Sequence, residues 1–162
     1  MATDHLKGLG KMLRSLDAVS GASKKAATAG VNAGLAFLVR TMKKTIDGSS
    51  ADPSVKRIAK QTIGKRIMRQ GRDVKEGKAG FCVGKKSKKT LAGVSAANIH
   101  WFVVGTADRQ TQSGDDRGQM DPMLDGVIDT AISVGAAPAL AAAAEKSKQV
   151  LAREAAKAKS KG

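Results

Sequence analysis

Three groups of side chains in this 162-residue chain are of types that can do chemistry: His100 beside Trp101, the single Cys82, and the aspartates between positions 108 and 129. An imidazole can serve as a general base, but no nucleophile or orienting carboxylate stands in a recognisable relation to His100. Cys82 lies between Phe81 and Val83, as a small core hydrophobe does, and only neighbouring lysines would lower its pKa. The aspartates do not follow the spacing of a calcium loop, so solvated loop charge is the expectation. Gly84-Lys85 fails as a phosphate loop, because Ala79 stands where the first glycine belongs and Lys86 where serine or threonine is required. Neither G-x-S-x-G nor H-E-x-x-H occurs. Two histidines and one cysteine are a poor stock of ligands for structural zinc. These absences predict a protein that is not an enzyme and carries no cofactor or metal.

Charge is the stronger signal. The chain carries a net +15 with 41% hydrophobic residues, enough apolar content for one domain spanning 1–162 with a real core. Such an excess suits a polyanion or an acidic protein surface as neighbour. From Lys56 to Lys89 thirteen Lys or Arg face only Asp73 and Glu76, a net of +11; from Asp108 to Asp129 six Asp face Arg109 and Arg117, a net of −4. Opposite patches of this kind can meet head to tail in a ring of identical subunits. The candidate contacts to DNA or to an acidic partner are Lys56, Arg57, Lys65, Arg66, Arg69, Arg72, Lys85, Lys86, Lys88 and Lys89. No aromatic residue falls within the basic segment before Phe81, so it offers no platform on which single-strand bases could stack. The tail "REAAKAKSKG" resembles the Ala/Lys tails of histone-like proteins, which makes a basic DNA-binding protein the alternative reading.

The segments expected to position these residues are mostly helical. Leu6, Leu9, Leu13 and Leu16 make an amphipathic first helix that should end near Ser20-Gly21. A second helix is expected from Ser23 to about Ile46, with Leu35, Leu38, Val39, Met42 and Ile46 as its stripe and Asp47-Gly48-Ser49-Ser50 as its stop. Asp52 and Pro53 suit the N-cap and first position of a third, running from Val55 to Met68. Gly77, Gly80 and Gly84 around Ala79, Phe81, Cys82 and Val83 suggest a strand or hairpin with "KKSKKT" (85–90) as its exposed loop. Residues 107–121 read as a mobile acidic loop, and 154–162 as a basic tail that frays. A terminal helix is expected to show Leu140, Ala144, Ser147 and Leu151 on one face. The amino terminus lacks the apolar run of a secretory signal, and the longest uncharged stretch, 15 residues between Asp129 and Glu145, is shorter than the roughly 18 a membrane span needs. A soluble protein of a reducing interior, without a membrane partner, is the expectation. In "NIHWFVVGTADRQ" (98–110), Ile99, Trp101 or Phe102, and Val103 read as packing positions of a short element ending at Gly105-Thr106.

The order of "HWFVVGT" (100–106), "DRQTQSGDDRGQMDP" (108–122) and "PALAAAAEKSKQVL" (138–151) resembles that of the head-to-tail joining proteins of tailed bacteriophages, known as tail-completion, tail-terminator or neck proteins. The matching positions are His100, Trp101, Phe102, Gly105 and Thr106, with Pro122 and Pro138 both candidates for the proline that opens the terminal helix. Val104 stands where the family commonly has glutamate. The resemblance implies an α+β subunit with long N-terminal helices, a small antiparallel sheet and a C-terminal helix, assembling as a ring of six or twelve copies. It further implies a structural virion protein, assembled in the host cytoplasm, at the head-to-tail interface. Portal or adaptor proteins and tail proteins would be its partners, with some basic residues facing DNA in the channel.

Overall fold

In the computed structural model, residues 2–70, 73–81, 99–105 and 122–160 are described, with side chains beginning at Val19. The fold is α+β: long helices, a two-stranded antiparallel sheet and a C-terminal helix. The order is α1 (Ala2–Gly48), α2 (Pro53–Thr62), β1 (Ile63–Gln70), β2 (Asp73–Phe81), α3 (Ile99–Val104) and α4 (Val127–Lys159).

α1 is one helix of 47 residues, about 70 Å at 1.5 Å per residue, where the sequence suggested two. Ser20-Gly21 does not end it. A lone glycine costs a helix only about 1 kcal/mol, and the turns on both sides carry good helix formers. Thr28, Thr41 and Thr45 each donate their hydroxyl to the carbonyl four residues back, which satisfies them inside the helix.

α2 starts where the sequence places it, with Asp52 at the N-cap in extended backbone and Pro53 in the first turn. It stops at Thr62, six residues short of the expected Met68. Ile63 turns to extended backbone, and the fully buried Thr62 donates its hydroxyl to the Ala59 carbonyl at 2.9 Å. Ile63 and Ile67 mislead because a spacing of four fits one helical turn and also two strand repeats. The segment is β1, with Ile63, Lys65, Ile67 and Arg69 alternating on one face. It pairs with β2 from Ile63↔Phe81 to Gln70↔Asp73, with a bulge at Lys75. The hairpin formed by the described residues closes backward onto β1, and the "KKSKKT" segment (85–90) lies outside the described residues.

α4 packs antiparallel along α1 and presents Val127, Ala131, Gly135 and Ala139, all buried, followed by Ala143 and Ser147. The steps of four line these residues up as one ridge that winds slowly around the helix. At Gly30 of α1 a β-carbon would lie 2.8 Å from the Ala143 carbonyl and collide with the Ser147 hydroxyl, so the two backbones approach more closely than any larger side chain allows. Ser147 donates to the Ala26 carbonyl at 3.1 Å across this contact. The expected packing face is thus corrected: Leu140 is 72% exposed and Leu151 also faces solvent. Residue size, not hydropathy, selects the stripe. Pro138 lies inside α4 and does not open it, and residues 154–159 continue the helix instead of forming a tail. Glu154 anchors that end through Lys25 of α1 at 2.8 Å and Lys157 at 3.0 Å.

One buried cluster gathers Met42 and Ile46 of α1, Val55, Ile58 and Ala59 of α2, Ile63 of β1, Ile99 and Phe102 of α3, Leu124, and Val127 and Ala131 of α4. It sits where the C-terminal part of α1 meets the start of α4. By length and composition α4 is apolar enough to cross a membrane, contrary to the count of uncharged residues. Only 22% of its most apolar window is buried, which leaves a broad apolar face outside.

Candidate functional site

The sequence-selected residues fall into separate regions. Ile99 and Phe102 of α3 are buried in the core, Val103 packs against it, and Trp101 is half-buried. The Phe102 carbonyl accepts the Leu124 N–H at 2.7 Å, tying this short helix to the segment that leads into α4. Gly105 takes a left-handed backbone at φ 72° directly after α3, which ends the element. His100 occupies a helical backbone position in α3, and Pro122 is exposed. Arg72, Cys82, Lys85, Lys86, Lys88, Lys89, Thr106 and the 107–121 segment lie outside the described residues. Among the described residues, no three His, Cys, Asp or Glu side chains come together in a way that could hold a metal ion.

The basic candidates divide between several surfaces. Lys56 donates to the Asp47 carbonyl at 3.1 Å at the start of α2, and Arg57 is exposed on the same helix. Arg66 lies on the outer face of the hairpin, opposite Lys78, which pairs with Glu76 at 3.3 Å. Lys65 and Arg69 belong to the other face, which is turned toward α1. Lys65 donates to the Asn32 side chain at 2.7 Å and to its backbone carbonyl at 3.2 Å.

Between α1 and this face of β1 runs an open cleft of about 990 Å³. Its helix wall carries Ser20, Lys24, Lys25, Thr28 and Asn32, and its strand wall carries Ile67 and Arg69. β2 backs the strand closely enough that a β-carbon on Gly77 would lie 2.9 Å from Val31 and Leu35 of α1, so the hairpin sits tight on the helix beside the cleft. Sequence reasoning missed Lys24, Lys25 and Asn32 because α1 was read only for its apolar stripe. The Lys24-Lys25 doublet off that stripe was the available signal. Glu154 accepts from Lys25 at the edge of this region, and its hydrogen bonds from Lys25 and Lys157 hold its carboxyl down at about 2.

The second feature is the outer face of α4. Away from the α1 contact Ile132, Val134 and Leu140 stand in solvent around the helix, Val134 at 66% and Leu140 at 72% exposure. No charge interrupts the helix between Asp129 and Glu145. No other described element covers this face.

No family model, curated protein or solved structure matches the chain.

Proposed function

We propose that this chain is a non-enzymatic structural subunit of a tailed-bacteriophage virion, forming a ring at the head-to-tail interface. The observation that carries the reading is the uncovered apolar face of α4. A helix that leaves Ile132, Val134 and Leu140 in water beside an uncharged run is suited to burial against another chain. The resemblance of "HWFVVGT" and the segments after it to phage joining proteins supports a neighbouring copy, repeated by rotation, as that chain. Opposite net charges in the 56–89 and 108–129 segments favour a heterologous contact, in which two different surfaces of the same subunit meet. Portal or adaptor proteins on one side and tail proteins on the other complete the proposed set of partners. No membrane is needed in this reading, because subunit contacts cover the α4 face.

Light scattering coupled to gel filtration, followed by electron microscopy of the purified chain with capsids, tests the reading. A closed ring of defined copy number that adds to DNA-filled heads is the expected result. A monomer or dimer that coats free DNA and never associates with capsids would overturn it in favour of a histone-like protein.

A further inference from the structure

We infer that the cleft between α1 and β1 is a binding site for the phosphate backbone of nucleic acid, gripped without regard to base sequence. This goes beyond the connector reading and does not depend on it, since the site lies within one chain.

Two rails of side chains form the cleft. On β1, Ile67 and Arg69 line the cleft and Lys65, on the same face, stands just past Ile67 against Asn32; at about 3.3 Å per residue Lys65 and Arg69 are set roughly 13 Å apart. On α1, the stretch from Lys24 to Asn32 covers about 12 Å. The Lys65 contact to Asn32 fixes the direction of the rails, so Arg69 lies toward the Lys24 end. Cations from both walls thus converge at one end, and Lys65 marks the other. A length of about 12 Å matches three to four nucleotides of one strand at 3.4 Å of axial rise each.

The lining narrows the ligand further. Among the described residues the lining carries Lys24, Lys25 and Arg69 and no acidic side chain, and Glu154 at its edge is engaged by Lys25 and Lys157. The Ser20 hydroxyl and the Asn32 amide add neutral donors of the kind that commonly bind phosphate oxygens. With no aromatic residue in the lining there is nothing on which a base could stack, which limits recognition to the backbone. Among the described lining residues only Ile67 and Ala29 carry apolar side chains, too few to anchor an acidic peptide, whose affinity depends on buried apolar residues. Lys25 keeps its pairing with Glu154 while its side chain stays 65% exposed, so it can still contribute field at the rim.

The test uses the full chain and a fluorescent duplex of about twenty base pairs of mixed sequence, titrated between about 50 and 200 mM salt. The double variant K24Q/R69Q should lose about tenfold or more in affinity at the lower salt, and its salt slope should shrink by roughly 1.8, about 0.9 for each phosphate contact removed. The control K44Q/K148Q, which removes the same charge from exposed positions away from the cleft, should stay within about twofold of the unaltered chain. Equal losses in both variants overturn the proposal, because binding would then be diffuse. So does displacement of the duplex by polyglutamate as readily as by unlabelled duplex, which would assign the cleft to an acidic protein. Absence of binding by the unaltered chain also overturns it. The ring state of the unaltered chain is read separately by light scattering, so the fate of this site and that of the connector reading are distinguishable.

Discussion

One substitution, made at two positions of the same helix, tests the close pairing of α1 and α4. At Gly21 nothing lies within 4 Å of an added β-carbon, so Gly21→Ala should gain the helix-propensity difference, about 1 kcal/mol of stabilisation. At Gly30 the same methyl group meets the Ser147 hydroxyl and lies 2.8 Å from the Ala143 carbonyl. The hydroxyl can rotate away only by giving up its bond to the Ala26 carbonyl, a loss of about 1 kcal/mol. The carbonyl belongs to the α4 backbone, so the helix itself must move, at an overpacking cost of about 1–3 kcal/mol. After the propensity gain, Gly30→Ala should destabilise by about 1–3 kcal/mol, placing the two variants on opposite sides of the parent. Urea midpoints at constant m-value measure this, and thermal midpoints should move by about 2–4 °C per kcal/mol. Adding Ser147→Ala to Gly30→Ala removes only the hydroxyl clash and should recover less than half of the loss. If Gly30→Ala stabilises as much as Gly21→Ala, the helices do not approach as described and the account of the α4 stripe fails.

Other consequences can be checked in the same chain. Ile58→Ala, at a residue 1% exposed in the core, should cost about 2–5 kcal/mol in urea denaturation. Pro138→Ala restores a helical N–H at an exposed position inside α4 and should stabilise by about 1–3 kcal/mol, read as a higher thermal midpoint. Glu154 has a carboxyl lowered from 4.5 to about 2, so its stabilising contribution is complete above pH 4.5 and lost as pH falls toward 2. The stability gap between the parent and Glu154→Gln should accordingly shrink across that window, and a gap constant from pH 6 to 2 would remove the ion pairs from the argument. Leu140→Glu places a charge on the outer face of α4 without touching the core, and should abolish self-association in light scattering while leaving the helical circular dichroism unchanged.

What the sequence disclosed and what it hid have physical causes. The start of α2 was legible because Asp52-Pro53 acts locally, as was the core role of Met42 and Ile46. The α+β class, which the resemblance implied, is the class the structure has. The α2–β1 junction was hidden because the four-residue step from Ile63 to Ile67 belongs to both periods, and the sheet face was decided by the approach of α1. The α4 stripe was legible only at Ser147, which the expected face already held; Leu140 looks like a core residue, yet the close approach of two helices selects Gly135 and Ala139 in its place. The cleft joins Lys24 and Lys25 to Ile67 and Arg69, more than forty positions away, and no local pattern announces that meeting. The α3 residues Ile99, Phe102 and Val103 read correctly as packing positions, and burial selects Phe102 from the pair Trp101 or Phe102 as the core member.

The pairing of α1 with α4 also sets an order of events during synthesis. The bonds Ser147 to Ala26 and Lys25 to Glu154 join residues 121 and 129 positions apart. Such contacts must overcome the entropy of closing a long loop, and they cannot form until nearly the whole polypeptide has left the ribosome. Until then the notch at Gly30 and Gly34 is covered only by water. A chain that ends before α4 exposes that notch permanently, so a premature stop late in the reading frame should yield an aggregation-prone product, not a shortened working one.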